Sequence, residues 1–376
     1  MALNGREIAV LGAGIGGLCA ALALVRRGAR VQVLEQAPAL TEVGAGIQIS
    51  QNGMTVLRAL EVFGSEVPAV RSGGVELRDW RSDRPVLRIA PPRAGPTWFF
   101  HRADLLAALE RAARDAGVVL FLGQRAEGLE IAGDVARLRL ADGSRVETGC
   151  LVAADGVRGV ARAVVADPGP ARFTGQVAWR AVVPVAAPEG GPAVVSMGPG
   201  RHVVTYPLRG GTVTNLVAVE ERRDWTGESW RQSGDPAELR RRFGGFGGAT
   251  GRVLSEVREA HLWALHLHPV APRWHRGPVA LLGDAAHPTL PFMAQGACLA
   301  IEDAWVLAES LEQTGDFARY EALRRPRAER VVAAAAGNAW KFHLRSPIRE
   351  VAQIALRLGG RFAPDFDWIY GHDVTR

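Results

Sequence analysis

The chain predicts an α/β fold: a parallel-sheet domain, a β-rich lobe interleaved into it, and a helical C-terminal part. Three observations carry that reading. The first 35 residues read strand, glycine turn, helix, strand, a βαβ unit that implies a parallel sheet. From Phe173 to Glu220, the runs QVAWRAVV, PAVVSMG, RHVVTYPL and TVTNLVAVE read as a second sheet. After Val279–Leu282, a buried parallel-type strand, apolar residues recur at helical spacing through Ala297–Leu311, Tyr320–Phe342 and Pro347–Leu358.

The elements follow in order. Glu7–Leu11 is a short apolar strand. Leu18, Leu22 and Val25 share one helical face, and Gly28 stops that helix. Arg30–Glu35 alternates as the second strand. Residues 74–90 read as strands. Asp104–Ala116 is a helix, with Asp104 as its cap, Leu105, Leu106 and Leu109 as its apolar face and Gly117 as its end. Val118–Leu122 is a strand, and residues 127–150 form antiparallel strands turned at Asp142-Gly143. Gly210-Gly211 supplies a turn in the second sheet. The expected organisation is a discontinuous nucleotide-binding domain (1–72, 97–170 and 270–345), a substrate-binding β-sheet domain (73–96 and 171–269) and a C-terminal helical segment (346–376).

Composition narrows the function classes. With 48% hydrophobic and 22% charged residues the chain has the balance of a globular enzyme. The net charge of +6 comes from arginines scattered among alanines, and Lys341 is the only lysine. No run of five like charges and no aromatic–basic stripe appears, which argues against nucleic acid. No apolar run reaches the roughly 18 residues of a membrane span. Ile8–Val25 has the look of a signal peptide, but its glycines have a better explanation below. Cys19, Cys150 and Cys298 lie in apolar contexts without a C-x-x-C pair, so they read as reduced, buried thiols of a cytoplasmic protein, with no metal site.

The glycines of Gly12-Ala13-Gly14-Ile15-Gly16-Gly17 follow a strand and open a helix. In this Rossmann-like arrangement Gly12 permits the tight turn, Gly14 lets the backbone approach a pyrophosphate, and Gly17 lets helix and sheet pack closely. The helix N-terminus offers amide donors to phosphate. Glu35 ends the second strand, 18 residues after Gly17, where a carboxylate accepts from ribose hydroxyls; Gln36 is its neighbour in the same cofactor-binding stretch. A similar glycine cluster at Gly245–Gly251 lacks a preceding strand and is discarded. Two later segments, Cys150–Arg158 and Leu281–Pro288, each end a buried strand in an acid beside a glycine, Asp155-Gly156 and Gly283-Asp284. Both carboxylates fall where ligands of open α/β sheets bind, and Asp284 is placed to hold ribitol hydroxyls.

Together, Gly12–Gly17, Asp155-Gly156 and Gly283-Asp284 resemble the single-component FAD-dependent aromatic hydroxylases of the para-hydroxybenzoate hydroxylase type. The tract Pro291–Leu311 (PFMAQGACLAIEDAWVLAESL), WRAVVP near Trp179, YPLRGG near Tyr206 and WIYGHD near the C-terminus are similar to the salicylate hydroxylase branch. The resemblance covers nearly the whole chain. It implies tightly but non-covalently bound FAD, NADH or NADPH as co-substrate, and a flavin C4a-hydroperoxide that hydroxylates a small aromatic acid. It also implies that Arg102 lies along the FAD, that Asp155 and Arg158 serve FAD and NAD(P)H, and that the amides of Gly296 and Ala297 face the flavin pyrimidine. Arg102 as a surface residue and Asp155 as a turn former stay open as plainer readings. A single Rossmann fingerprint fits a transient NAD(P)H encounter. A monomer or homodimer is expected.

A phenol attacks best as phenolate, and with an ordinary pKa of about 10 it needs an acceptor near neutrality. His202 and Tyr206, at i and i+4 on RHVVTYPL, face one side of a strand and are the catalytic candidates; a satisfied histidine and a core tyrosine are the alternative. His287 reads as a residue that orients its loop. Phe292 stands where some relatives carry His or Tyr, so it offers only packing, which puts a two-residue proton relay in question. Arg180 is a candidate to pair a substrate carboxylate, or a solvated strand residue; Ile47 is a further substrate candidate. Competing functions are hydroxylation or epoxidation of a larger polyketide or isoprenoid, and a flavin-free lipid-group carrier of the same fold.

Overall fold

The computed structural model describes residues 3–41, 45–64, 67–167, 169–222, 232–338, 341–349, 351–352, 354 and 366–376. Among these, the opening βαβ unit folds as the periodicity predicts: strand Glu7–Leu11, helix Ile15–Val25, strand Arg30–Glu35. They belong to a sheet of six strands ordered 275–276, 279–281, 151–153, 7–11, 30–35, 119–122. Every pairing is parallel except the edge hairpin at His275–Arg276. The chain steps one way from the Glu7–Leu11 strand to Arg30–Glu35, and the other way to Leu151–Ala153 and Val279–Leu281. That reversal is a topological switch point, and the crevice beyond the strand ends there is where such sheets bind ligands. Gly12, Asp155 and Gly283-Asp284 all leave the sheet at those ends.

Helix Ile15–Val25 packs against helix Gly296–Thr314, and glycine makes the contact close. A Cβ on Gly16 would lie 2.8 Å from Leu282 Cδ2 and 3.0 Å from Ala300 Cβ. Tyr320, on helix Ala318–Asn338, donates from its hydroxyl to the Leu281 carbonyl at 3.0 Å and ties the last helices to the sheet. That helix ends before the expected Phe342, which instead belongs to a short turn, Lys341–His343. Of the expected helix Pro347–Leu358, positions 350, 353 and 355–358 lie outside the described residues, and 348–349, 351–352 and 354 are helical. No helix among the described residues is long and apolar enough to cross a membrane.

The second sheet has eight strands among the described residues, ordered 233–234, 260–267, 172–183, 213–221, 201–208, 193–198, 75–79, 85–89. One face packs Trp179, Val203 and Leu216 against helices Pro236–Phe243 and Gly248–Ser255. The sequence reading missed both helices. The other face looks toward the first domain. A small sheet, with Trp98–His101 between Gly46–Ile49 and Ala69–Arg71, stands between the two. A meander of Ala126–Ala132, Val135–Leu140 and Arg145–Thr148 turns at Gly133 and Gly143, with φ of 60° and 85°.

One expected cap is corrected. The helix after Trp98–His101 begins at Arg102, with His101 at its N-cap, so Asp104 sits in the first turn. There it accepts two hydrogen bonds from Arg209, at 2.9 and 2.7 Å, linking this helix to the β lobe. The carboxylate found a tertiary partner where local pattern offered only a cap.

Candidate active site

A cleft of about 1910 Å³ runs along the carboxyl ends of the parallel strands and under the inner face of the second sheet. That exceeds the roughly 300–1,000 Å³ of a site for one drug-sized molecule. Its lining includes Gly12, Gly14, Gly17, Glu35, Gln36, Ile47, Arg102, Asp155, Arg158, Arg180, His202, Tyr206, Asp284, Phe292, Gly296 and Ala297, so the structure brings all the sequence candidates together.

The glycine turn divides its labour by position. Gly12 has φ +100°, and a Cβ there would sit 2.5 Å from the Ala154 carbonyl oxygen. A Cβ on Gly17 would come within 2.0 Å of the Gly12 carbonyl oxygen. On Gly14 it would meet no protein atom within 4 Å. Two of these glycines let protein approach protein; Gly14 leaves backbone open to the cleft. The helix that follows has Gly14 as its N-cap, and no side chain among the described residues caps it. Its first-turn amides are therefore available to an anion. Glu35 accepts from the Ala13 amide at 2.7 Å and the Ala37 amide at 2.8 Å, which fixes the carboxylate at the cleft edge with lone pairs remaining for hydroxyl donors.

Asp155 is tucked under the helix Val160–Val165, and one of its oxygens accepts from the Ala161 amide at 3.1 Å. Gly159 makes room: a Cβ there would lie 2.0 Å from the Asp155 carboxyl carbon. Oδ1 is buried with no hydrogen-bond partner among the described residues. Burial lifts this carboxyl to about 6. Asp284 opens onto the cleft and is walled by protein elsewhere. Burial raises its pKa, opposed by His287, Arg102 and Arg162.

Elsewhere on the cleft lining, helix Gly296–Thr314 also starts without a side-chain cap among the described residues. Its preceding turn is held by a buried network that the sequence did not disclose. Gln295 donates to the Ser50 hydroxyl at 2.9 Å, and Asn52 donates to Gln295 at 3.0 Å and to Glu302 at 2.6 Å. Glu302 also accepts from Arg327 twice, at 2.7 Å, and lies 2.6 Å from an Arg324 nitrogen. Next to it Asp303 accepts from Arg324 at 2.7 Å and bonds His287. Burial pushes both carboxyls up, but the surrounding cations and hydrogen bonds outweigh it and hold them below the usual carboxylate range. His287 is fully buried, and its backbone amide donates to Gly283 at 2.8 Å. One ionic cluster thus supports both the Gly283-Asp284 turn and the start of the Gly296 helix. Two adjacent acids inside the otherwise apolar stretch 297–308 were its one trace in the sequence.

The β-lobe wall follows from register. Ala178, Val219 and His202 lie in one row across the strands, Arg180, Val217 and Val204 in the next, and Val182, Asn215 and Tyr206 in a third. All point to one face. His202 is 2% exposed, and burial, with His343 beside it, holds its pKa well below the ordinary imidazole value. Tyr206 stacks on Phe99 with centroids 4.8 Å apart, and burial raises its pKa. Arg180 lies over the Trp263 ring at 4.3 Å, half-buried, and the tryptophan lays it along the cleft wall. Phe292 packs among Val217, Val219, Trp263, Leu265 and Leu290, 6.1 Å from the His202 ring.

The residues present fit FAD on three observations: the open Gly14 backbone at an uncapped helix, the unpartnered Asp155 oxygen, and a second uncapped helix start at Gly296 on the same cleft. Residues 6–335 match the family model described as FAD binding domain. The 3-amino-4-hydroxybenzoate 2-monooxygenase of Streptomyces platensis is 33% identical over 99% of this chain and 97% of its own length. The 3-hydroxybenzoate 6-hydroxylase of Polaromonas naphthalenivorans is 35% identical over 98% of this chain and 96% of its own length. Klebsiella pneumoniae HpxO, solved with FAD and uric acid, superposes with a TM-score of 0.80 at 28% identity, covering 95% of this chain and 94% of that one. With a glycine-turn cradle, two strand-end carboxylates and this match over most of its length, the chain belongs to the FAD-binding-domain family.

Proposed function

We propose that this protein is an FAD-dependent monooxygenase that uses NAD(P)H and O2 to hydroxylate a small aromatic acid bearing an ionisable hydroxyl. The observation that carries it is a cleft with a dinucleotide cradle at one end and, at the other, a largely apolar wall that bears Arg180, His202 and Tyr206. Bound FAD would supply the hydride acceptor for NAD(P)H and the O2-activating group for ring hydroxylation.

The chain's own residues do the rest. The Gly12–Gly17 turn and the following helix hold the pyrophosphate, Glu35 and Gln36 the adenosine ribose side, and Asp284 the ribitol. Arg102 and Arg158 lend positive charge along the cofactor, and Asp155 links the cofactor to the nicotinamide approach. The amides of Gly296 and Ala297 would hold the flavin's pyrimidine side, where a helix N-terminus favours negative charge. Ile47, Phe292 and the valines at 217 and 219 wall the substrate off from water. Arg180 pairs the substrate carboxylate. His202, neutral in its buried setting, accepts the proton of the ring hydroxyl. Tyr206 keeps its own proton and acts as a donor.

Four residues along a strand span about 13 Å, so His202 and Tyr206 meet different ends of a bound ring. They do not form a pair on one atom. The buried free thiols and the need for NAD(P)H support a cytoplasmic enzyme. The test is direct: a yellow purified protein, NAD(P)H oxidation accelerated by hydroxybenzoates, and a hydroxylated product. A protein that binds no FAD, or that no aromatic acid stimulates, ends this reading.

A further inference from the structure

His202 does not end at the cleft wall. Its Nδ1 lies 2.7 Å from Nε2 of His343, which arrives from a short turn 141 residues later. The two rings sit 4.9 Å apart, and the Phe342 ring lies 5.3 Å from His202. Nδ1 of His343 lies 3.4 Å from a Glu221 oxygen and 3.2 Å from the Gln176 amide nitrogen. Gln176 Oε1 is buried with no partner among the described residues, so exchanging the amide's ends lets that oxygen accept from His343 instead. Glu221 is 41% exposed and accepts from Arg345 at 2.6 Å. Buried imidazole, buried imidazole and solvent-exposed carboxylate therefore stand in line from cleft to surface.

We infer that His202, His343 and Glu221 form a proton conduit carrying the substrate hydroxyl's proton from the sealed cleft to bulk water. This rests on the aromatic-hydroxylase reading and adds to it a relay that runs through residue 343, where Phe292 can supply none. The substrate O–H bond breaks and an N–H bond forms at His202 Nε2. His202 Nδ1–H passes its proton to His343 Nε2, and His343 Nδ1–H passes its proton to Glu221, which exchanges with water. Each imidazole ends neutral, in the opposite tautomer. Passage in reverse, when the product phenolate is reprotonated, restores the starting state. The charged groups around His343 are Glu221, Arg201 and Arg345; burial, the largest influence, holds it down at about 4, with Glu221 opposing. Both rings are thus neutral near pH 7, as a relay requires.

The test uses the FAD-loaded protein, with 3-hydroxybenzoate and 3-amino-4-hydroxybenzoate as probes. H343Q keeps a hydrogen-bonding side chain beside His202 but cannot exchange protons between two ring nitrogens. The expected result is a fall in kcat of about 100-fold near pH 7 with KM within about twofold, recovering as pH rises toward the phenol's own ionisation. E221Q should shift the pH profile the same way with a smaller loss. Unchanged rate and pH profile in H343Q overturn the conduit. A second arm needs no turnover: imidazole 15N resonances of His202 and His343 should move together on titration and respond to E221Q. Independent titration overturns the conduit even if neither probe is a substrate. Failure of both probes with the wild-type protein counts against the proposed function, and the 15N arm then decides the relay alone.

Discussion

Replacing Arg324 by methionine removes a guanidinium that bonds both Asp303 and Glu302 in a fully buried cluster. Two carboxylates, Glu302 and Asp303, balance two guanidiniums, Arg324 and Arg327, so the variant leaves one negative charge uncompensated. Breaking a buried pair by removing one partner costs about 3–5 kcal/mol. An unfolding entropy of about 2.1 cal/mol/K per residue over 376 residues gives about 0.8 kcal/mol/K. The expected fall in Tm is therefore about 4–6 °C. Adding Asp303→Asn removes the surplus charge, while Glu302 keeps its two bonds from Arg327. The double variant should regain about 1.5 kcal/mol or more, within the usual coupling of residues in one network. Melting followed by circular dichroism, with flavin fluorescence recorded alongside, reads both effects. FAD release should track unfolding, because the cluster supports the Asp284 turn and the Gly296 helix start. A single variant that melts within about 1 °C of wild type, or a double variant whose loss is the sum of the singles, refutes the reasoning.

The glycine turn gives a paired prediction. Gly14→Ala should leave the FAD-free fold and its Tm intact and weaken FAD binding at least about tenfold, whereas Gly17→Ala, with backbone 2.0 Å from the new Cβ, should fail to fold well; equal behaviour in FAD titration and melting contradicts the division. Asp155 titrates at about 6 when folded and about 3.9 when unfolded. The folded state binds the proton more tightly, so the penalty is absent below about pH 4 and complete above about pH 6. Asp155→Asn should therefore raise the Tm of FAD-free protein at neutral pH and leave it unchanged in acid; a Tm gain independent of pH counts against burial as the cause. Arg180→Met should raise KM for a carboxylated substrate about 10- to 100-fold, as losing a charge-assisted pair of about 1.5–3 kcal/mol requires. Arg180→Lys should restore this only in part, and equal losses for neutral phenols would show that the arginine does not read the carboxylate.

What the sequence disclosed and what it hid divide by range. Gly12 is legible because a φ of +100° and backbone packing at 2.5 Å are local demands that glycine alone meets. The central parallel strands Glu7–Leu11, Leu151–Ala153 and Val279–Leu281 are legible because burial on both faces writes a continuous apolar run. Gly46–Ile49 and Trp98–His101, four residues each, are too short to show a period, so the small sheet was missed. Helix Pro236–Phe243 had a readable start: Asp235 accepts from the Ala237 amide at 2.8 Å, ahead of Pro236 at the first helical position. Its arginine-rich body obscured it. The roles of Glu302 and Asp303 depend on arginines from the next helix, and that of His343 on a strand 141 residues earlier. Neither pairing leaves a local pattern.

The same division explains why cofactor and substrate are specified so differently. The cradle is built from turns that leave adjacent parallel strands, so its geometry is fixed wherever that sheet forms. The substrate wall instead depends on antiparallel register: Arg180 lies level with Val204, two strands and so about 10 Å away, and His202 lies one row, about 7 Å, along. A one-residue slip of the 172–183 strand would turn Arg180 into the core against Phe243 and present Trp179 to the cleft. Substitution on this wall changes which ring fits without disturbing the cradle. Arg180 and His202, set diagonally on one face about 12 Å apart at their Cα atoms, can lean toward each other across a single ring that bears a carboxylate and a hydroxyl.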